Sequence, residues 1–369
     1  MTKSYEKPNA KVTLQEIAAH CGVSKGSVSR ALNGDLSHLN RVTMERIRKA
    51  AGELGYDPDL NHDARRLALR KGGLPVPNYA IGLVMSKQFY ETNYYQTLLR
   101  GVLEVIAPKH YGLLLGYMDK NVLMEDLPYA FRRNELDAVL TCRPEAEIRP
   151  LLEELHQSSF KGKPLVSMIY RVADCPAVVP DHQMAGYLLT RHLLLQGHRH
   201  MLHFVPDDTL SLHPFELRLA GYRQAYREMK IDPAPYLQYM PYPYALHLRR
   251  RDLYAYAENT VQMLGVHPEI TAVLTPYDEY AGVLIDVLQK HGKRVPEDIS
   301  VVGLDNTDPV FNERGENILT TIRMPLRAIG CQAASMVLRR ISGEERGNAT
   351  VILPVELIER ASTCPPKSV

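Results

Sequence analysis

Residues 12–33 read VTLQEIAAHCGVSKGSVSRALN, and this stretch contains the same helix-start pattern twice. In the first copy, Thr13 is placed to cap a helix, and Glu16, three residues later, completes a capping box. In the second copy, after a turn at Gly22, Ser24 is placed to cap another helix. Two short helices joined by a glycine turn predict a helix-turn-helix, the motif whose second helix enters the major groove of DNA.

A third helix start follows at Val42, where Thr43 is the expected cap and Val42 is expected to pack on Ile47 as a hydrophobic staple. Gly55 is the expected end of this helix. Three short helices of this kind predict a small domain, which we place at residues 1–58. A three-helix bundle without a nucleic-acid role is the alternative, and the polar face of the second helix argues against it.

That polar face begins at the helix N-terminus, whose free N–H groups and partial positive charge suit a phosphate. Lys25 can reach a guanine edge in the major groove, and Arg30 can reach a base or a phosphate about one turn later. The residues of this domain that we expect to contact DNA are Thr13, Ser24, Lys25, Gly26, Ser27, Ser29, Arg30, Asn33 and His38.

The charge of the chain is unevenly distributed. Residues 1–73 contain 13 Lys and Arg against 8 Asp and Glu, a net charge of +5, whereas the whole chain carries +2. The remaining residues therefore sum to −3. A basic head on a mildly acidic body is typical of a DNA-binding module attached to another domain.

From residue 79 onward, short apolar runs alternate with stretches of helical periodicity. The runs typical of buried parallel strands are 80–85, 112–117, 138–141, 165–169, 201–205, 272–275 and 299–304. The main helical stretches are 95–106, 216–229, 280–291 and 326–341. This alternation predicts a doubly wound α/β body. Because about 290 residues are too many for one core, we expect two lobes.

Several motifs follow one another in order along the linker and the body. They are ARRLA (64–68), GHRH (197–200), RLAG (218–221), VPEDISVVGLD (295–305), LTTI (319–322) and LPVELIERAST (353–363). Together with the helix-turn-helix, they make the chain resemble the LacI/GalR family of bacterial transcriptional regulators over nearly its whole length. The resemblance implies two Rossmann-like lobes of the periplasmic-binding-protein-like type, with a ligand cleft between them.

The resemblance also implies domain boundaries. Residues 1–58 would bind DNA, residues 59–77 would form a hinge helix and linker, and residues 78–369 would bind the effector and dimerise. In the last domain we expect one lobe at 78–175 with 306–340, and the other at 176–305 with 341–369.

In the hinge, Leu67 matches the leucine that members of this family insert into a minor-groove step, and we expect Ala64 to contact DNA beside it. Packing of Leu67 between the linker and the body is the alternative. Asp59 and Leu60 lengthen the segment before the hinge relative to the family pattern.

The effector contacts carried over by motif are Ser86, Tyr94, Tyr95, Asp181, Arg218 and Asp305. We also expect contacts from Tyr277, and from Tyr242 and Tyr244 of a tyrosine-rich segment, where the family carries an aromatic residue. Carboxylates accept hydrogen bonds from hydroxyl pairs, an arginine donates through its planar fork, and aromatic faces pack on sugar rings. Tyr277 stands where the family often has asparagine, and His182 follows Asp181 where asparagine is usual. With the tyrosines around Tyr242, these departures favour a larger or more aromatic ligand than a hexose. A surface loop rich in tyrosine is the alternative for that cluster.

Other features of the sequence exclude several classes of protein. The start of the chain lacks an apolar signal region and no run approaches a membrane span, so we expect a cytoplasmic protein, associated with the nucleoid when bound to its operator. Five cysteines without a CxxC pair argue against a disulfide framework or a zinc site. We find no nucleophile elbow, HExxH motif or phosphate-binding glycine loop, and expect no enzyme activity, metal or cofactor.

The sequence therefore predicts a dimeric repressor that binds a pseudo-palindromic operator and is controlled by a sugar or sugar derivative in the cleft. Control by a protein partner, or by a non-sugar ligand such as a purine or nucleoside, is the alternative, and such a regulator could repress or activate.

Overall fold

The computed structural model describes residues 12–32, 39–56, 77–86, 92–118, 125, 127–133, 135–157, 162–206, 212–242 and 250–367. The chain divides into two compact units, Met1–Pro77 and Asn78–Val369. Among the described helices, none combines the length and the apolar character that crossing a membrane requires.

The first unit contains three helices: α1 (Leu14–Cys21), α2 (Lys25–Leu32) and α3 (Arg41–Glu53). The capping box predicted for α1 is confirmed, since Thr13 accepts the N–H of Glu16 and donates its own N–H to the Glu16 carboxylate at 2.6 Å. Gly22 ends α1 in the left-handed conformation that the turn requires. The predicted helix-turn-helix is therefore present.

The start of α3 differs from the prediction. Asn40 caps this helix, because its side-chain oxygen accepts the N–H of Thr43 at 2.7 Å. Thr43 thus lies inside the first turn, and Val42 is 76% exposed instead of packing on the fully buried Ile47. The Asn40 amide, three residues before Thr43, caps the helix instead, so the predicted cap and the predicted staple were both wrong.

The second unit contains two six-stranded sheets. The first sheet holds β1 (Ala80–Ser86), β2 (Gly112–Met118), β3 (Ala138–Thr141), β4 (Leu165–Met168), β5 (Ala177–Pro180) and β11 (Thr350–Leu353). Its strands are all parallel, in the order β11-β5-β4-β3-β1-β2.

The second sheet repeats this strand order. It holds β6 (Met201–Pro206), β7 (Leu237–Tyr242), β8 (Ala272–Leu274), β9 (Ser300–Asp305), β10 (Thr320–Arg323) and β12 (Glu356–Ile358). The order is β12-β10-β9-β8-β6-β7, and only β12 runs antiparallel to its neighbour. In each sheet the direction of winding reverses beside the strand that comes first in the sequence, β1 in the first sheet and β6 in the second. Open α/β sheets bind ligands at such a reversal. The predicted doubly wound class is confirmed.

The helices of this unit are α4 (Asn93–Ile106), α5 (Tyr129–Arg132), α6 (Glu145–Gln157), α7 (His182–Gln196), α8 (Leu212–Glu228), α9 (Arg250–Val266), α10 (Asp278–Lys290) and α11 (Leu326–Ile341), with a 3-10 turn at Ala107–Lys109. Two of them cross between the lobes. α7 follows β5 of the first sheet but packs on α8, β10 and β12, whereas α11 follows β10 of the second sheet but packs on α4, β3, β4 and β5.

The lobe boundaries differ from the expected ones for the same reason. β5 pairs in the first sheet although residues 176–180 were expected in the second lobe. β10 pairs with β9, and β11 pairs with β5, so 320–323 belong to the second sheet and 350–353 to the first. At each crossing the chain therefore changes sheet later than expected, namely after β5, after β10 and after β11.

Each crossing helix is locked to its partner by a pair of glycines. A Cβ on Gly186 of α7 would lie 2.3 Å from the Arg218 carbonyl oxygen, and one on Gly221 of α8 would lie 2.0 Å from the Gln183 oxygen. Gly101 and Gly330 form the corresponding contact between α4 and α11. The two helices of each pair therefore approach at backbone distance, which only glycine allows.

Candidate functional site

The exposed face of α2 carries the expected DNA contacts. The Ser24 hydroxyl accepts the N–H of Ser27 at 3.1 Å and so caps the helix. Lys25 and Gly26 are exposed, and the Arg30 Nε donates to the Gly26 carbonyl at 3.2 Å. Val28, from the opposite face, is fully buried. The helix thus presents Lys25 and Arg30 along one polar side while its other side anchors the domain.

The remaining expected DNA contacts are placed differently. Thr13 is engaged in the α1 capping box, with both its N–H and its hydroxyl bonded to Glu16, and these donors lower the pKa of the Glu16 carboxyl. Ser27 and Ser29 are half-buried on α2. The other four expected contacts, Asn33, His38, Ala64 and Leu67, lie outside the described residues, as does the hinge except for Pro77.

In the second unit, side chains from both lobes converge beyond the carboxyl ends of the strands. Tyr94 and Tyr95 lie in the first turn of α4, with ring centroids 4.9 Å apart. The pKa of Tyr94 is raised well above its ordinary value by burial and by the nearby charge of Asp305, and the Arg218 charge opposes this shift. A first-lobe tyrosine therefore lies within electrostatic reach of Asp305 and Arg218 of the second lobe.

Asp305 ends β9 in an unusual backbone conformation. Its φ is +114° and that of the following Asn306 is +57°, values that residues other than glycine rarely adopt. Its half-buried carboxyl has a pKa raised well above the ordinary value, by burial and by Asp278, with Arg218 opposing. Backbone strain at the end of a strand, next to a desolvated carboxyl, is typical of a functional site.

Arg218 is held on the second lobe by its own helix. Its side chain is buried, and its Nε donates to the Pro214 carbonyl one turn earlier at 3.4 Å. Its charge acts on Tyr94, Asp305 and His182, as the pKa shifts of these groups record. A fixed guanidinium within electrostatic reach of a carboxyl and a phenol can bind vicinal hydroxyl groups.

The other expected effector contacts are placed as follows. Ser86 ends β1 and is buried. Asp181 caps α7, where its Oδ1 accepts the N–H of Met184 at 2.9 Å. Tyr277 precedes α10 and packs partly on the second-lobe core. Tyr242 ends β7, but its side chain and the whole of Tyr244 lie outside the described part of the chain.

Sequence reasoning missed Tyr170 at this site, and it noted His182 as a departure from the family pattern without assigning it a role. Tyr170 follows β4, after Ile169, whose φ of +71° is rare for a β-branched residue. The charges of Arg218 and Arg143 both act on Tyr170. His182 is 7% exposed, and burial and the Arg218 charge lower its pKa to about 3, so its ring is neutral. The signal that marked Asp305, a polar residue directly after a buried strand, also applied to Tyr170.

A second buried carboxyl, Asp278, supports the loop that follows Asp305. Its two oxygens accept the Thr321 hydroxyl at 2.6 Å and the Thr307 N–H at 3.0 Å. Gly303 leaves the space that this carboxyl fills, since a Cβ there would lie 2.2 Å from the Asp278 Oδ1. Burial raises the pKa of Asp278 to about 7, the two hydrogen bonds oppose the shift, and Asp308 adds to it.

We expect the variant Asp278→Asn to gain stability relative to the wild type as the pH rises. Because the folded-state pKa of Asp278 is raised, the native state keeps a proton that the unfolded state has lost, and wild-type stability falls as the pH rises towards 7. The amide can still accept from Thr307 and donate to Thr321. Between pH 5 and pH 8, the unfolding free energy of the variant minus that of the wild type should rise by about 2 kcal/mol in urea denaturation.

Asp298→Asn is the opposite control. Arg294 and Lys367 lower the pKa of Asp298, so its contribution to stability is complete above the unfolded-state pKa of about 3.9 and is lost as the pH falls below it. The same difference should therefore stay constant between pH 5 and pH 8. A pH-independent difference for Asp278→Asn would contradict a titrating carboxyl at this position.

The loop after β9 also joins the two lobes. Asn93, in the first turn of α4, donates from Nδ2 to the Asp308 carboxylate at 3.0 Å and to the Thr307 carbonyl at 3.4 Å. Arg360 donates to the Asn306 side chain at 2.9 Å from the segment after β12. The loop that carries Asp305 is thus bonded to the helix that carries Tyr94 and Tyr95.

The described residues contain no cluster of three or more His, Cys, Asp or Glu side chains that could hold a metal ion. The five cysteines are free thiols, and burial raises the pKa of Cys142 to about 12.

Two parts of the chain match known protein families. Residues 13–59 match the family described as "Bacterial regulatory proteins, lacI family", and residues 190–363 match the "Periplasmic binding protein-like domain". The first match covers the three helices of the head, and the second covers most of the second lobe. Together with the two parallel sheets, they define a transcriptional regulator with a ligand-sensing body.

Known relatives align along almost the whole chain. The "Arabinose metabolism transcriptional repressor" of Geobacillus stearothermophilus is 29% identical over 353 residues, which are 89% of this chain and 90% of that protein. The "HTH-type transcriptional regulator CelR" of Thermobifida fusca is 27% identical over 365 residues, 95% and 98% of the two chains. The head thus carries the DNA-binding domain of the lacI family, and the whole chain is similar to LacI-family transcriptional regulators. Its relatives are regulators, not enzymes.

Solved structures share the fold. A LacI family regulator from Enterococcus faecium with bound ribose is 25% identical, with a TM-score of 0.65 over 78% of this chain and 99% of that one. The Lac repressor dimer bound to operator and the anti-inducer ONPF is 22% identical, with a TM-score of 0.65 over 96% and 100%. The predicted architecture, a helix-turn-helix head with a periplasmic-binding-protein-like body, is confirmed.

Proposed function

We propose that the protein is a repressor that binds a pseudo-palindromic operator as a homodimer, with α2 of each subunit in the major groove. The exposed Lys25 and the half-buried Arg30 on a capped, anchored helix support this reading. One helix-turn-helix reads only a short half-site, so two heads on one operator provide specificity. The protein then acts in the cytoplasm, at the nucleoid, where its operator is.

We further propose that residues 59–77 form a hinge on the operator, in which Ala64 contacts the minor groove and Leu67 enters a base step. The solved Lac repressor complex shows a chain of this fold on its operator. An apolar wedge in the minor groove costs a few kcal/mol of unstacking, which added contacts offset.

The effector that we propose is a sugar or sugar derivative bound between the lobes. The observation that carries this proposal is the convergence of Tyr94, Arg218 and the strained Asp305 beyond the strand ends of both sheets. Ribose in one related structure and the arabinose repressor among the relatives agree with a polyhydroxylated ligand. They favour a sugar over control by a protein partner or a purine.

Control of DNA binding would pass through the loop after β9. A ligand bound to Asp305 lies at the start of the loop whose Asp308 accepts a hydrogen bond from Asn93 of the first lobe. Ligand binding therefore changes the contact between the lobes. If the two lobe arrangements differ in how well the heads pair on DNA, effector and operator oppose each other with a coupling of roughly 1–3 kcal/mol.

The test is operator binding with and without sugars. DNA is selected from a random pool by the full-length protein, and its affinity is measured by fluorescence anisotropy. Arg30→Ala should weaken binding to the selected site by 5- to 150-fold, about 1–3 kcal/mol, and relax preference at one base position. Release of this DNA by a pentose, hexose or disaccharide from a panel would establish sugar control.

Lys49→Ala is the matched control, because it removes one exposed positive charge from α3 instead of α2. It should change affinity by less than about 3-fold. Equal losses for Arg30→Ala and Lys49→Ala would mean that α2 does not read bases, and tighter operator binding with a sugar would make the ligand a corepressor.

A further inference from the structure

A groove of about 900 Å³ opens beside the cleft. Its walls are the first turns of α6, the turn between β4 and β5, the N-terminal turn of α8 and the start of β11. This volume lies at the upper end of the range for small-molecule sites, which is roughly 300–1,000 Å³. The groove is therefore large enough for a ligand unit of its own.

The groove adjoins the candidate effector site. Tyr170 lines it and also lies within the influence of Arg218. Pro214 lines it too, and its carbonyl accepts the Arg218 Nε. The strained Ile169 precedes Tyr170, whose carbonyl accepts the Ser167 hydroxyl at 2.7 Å. One wall residue from each lobe thus separates the groove from the cleft.

Its floor is fixed by protein contacts. Glu145 forms an ion pair with Arg149 one turn later on α6, and its other oxygen accepts the Ala173 N–H at 3.1 Å. Arg149 also donates to the Ala173 carbonyl at 3.4 Å. These bonds tie the turn after β4 to α6, so the groove keeps its shape without a ligand.

Its rim carries polar groups that the protein does not use. Within the described ranges, the side chains of Arg171, His213, Glu216 and Asn348 have no hydrogen bond or ion pair. Behind them lies the ring of the buried His182, next to the Ile169 backbone. The charges of Arg218 in the cleft and His213 in the groove both act on this ring, which places it near both.

The chemistry of this lining selects the ligand. Carboxylate, amide, guanidinium and imidazole groups are interspersed, so neither a strongly anionic nor a strongly cationic ligand is favoured. Pro144, Pro150 and the Tyr170 ring add flat apolar surfaces. Hydrogen-bond donors and acceptors around apolar faces suit a neutral sugar ring.

We propose that this groove is a second subsite, which takes the next sugar unit of an oligosaccharide whose first unit binds Arg218 and Asp305. The proposal rests on the sugar control proposed above. It makes the effector a disaccharide or longer chain, extending past Tyr170 along α6.

The experiment is calorimetric titration of the full-length protein with matched sugar series. The series are glucose, cellobiose and cellotriose; xylose, xylobiose and xylotriose; and glucose, maltose and maltotriose. In the series that binds, the disaccharide or trisaccharide should bind at least 10-fold more tightly than its monosaccharide. Arg171→Ala and Glu216→Ala should each weaken the longer sugar by 3- to 10-fold and leave the monosaccharide unchanged.

Arg132→Ala removes an arginine of the same lobe from α5, outside the groove, and should have no effect. Equal affinities for the monosaccharide and the longer sugars, unchanged in the groove variants, would overturn the subsite and leave sugar control standing. Binding of no sugar of any length would overturn the proposed sugar control and this inference with it.

Discussion

Gly221→Ala should destabilise the second unit by about 3 kcal/mol, the largest effect that we expect from a single methyl group in this chain. The new Cβ would lie 2.0 Å from the Gln183 carbonyl oxygen and 2.6 Å from the Tyr187 backbone nitrogen. Both are helix backbone atoms, which cannot rotate away as a side chain can. α8 must then move off α7, and Arg218 moves with it. Thermal unfolding and sugar titration of the purified variant measure both consequences.

Gly265→Ala provides the control. This glycine lies near the end of α9, and apart from its own stretch of helix no atom lies within 4 Å of the Cβ that the substitution adds. Alanine there should stabilise the protein by roughly 0.5–1 kcal/mol, because it restricts the unfolded chain and favours the helix. If both variants unfolded like the wild type, the close packing of α7 on α8 would not be required.

Arg218→Ala should weaken the effector about 100-fold, roughly 2.7 kcal/mol, and leave operator affinity without effector within 2-fold of the wild type. The loss is large because a buried, preorganised guanidinium is removed from beside Asp305. The variant would therefore repress but not release DNA. Calorimetry for the effector and anisotropy for the operator separate these two results.

Arg227→Ala is matched to Arg218→Ala in helix, residue type and local bonding. Arg227 also lies on α8 and donates from Nε to the carbonyl four residues earlier, at 3.2 Å, but its side chain is exposed. We expect less than a 2-fold change in effector affinity. Similar losses for the two variants would show that arginines of α8 act through helix stability or overall charge.

The head shows how far local sequence rules reach. The caps of α1 and α2 were predictable because Thr13 and Ser24 bond to N–H groups three residues away, in the same turn. The same rule misplaced the start of α3, where Thr43 and Asn40 were competing caps and the asparagine prevailed. Local chemistry identified the helix but did not choose between two polar residues three positions apart.

The body shows where local rules end. Apolar runs located seven of the twelve described strands, since buried parallel strands are apolar along their whole length, and they missed β5, β7, β10, β11 and β12. The assignment of β5, β10 and β11 to sheets required knowing which distant strand each one pairs with, and periodicity contains no such information.

The candidate site was predictable only in part. Arg218 and Asp305 followed from motifs, and the structure brings them near Tyr94. Tyr170, His182 and Asp278 acquire their properties from burial and from neighbours far along the chain. Asp181, by contrast, was expected to meet the effector, and its carboxylate is bonded to the first turn of α7.

The exchange of helices between the lobes also orders events during synthesis. The first sheet begins at β1 but lacks its packing helix α11 and its edge strand β11 until residue 353 has left the ribosome. The head, whose three helices contact one another within residues 14–53, has no such delay. Because domains fold as units as they emerge, the DNA-binding unit is complete while the sensor that controls it is still open on the growing chain.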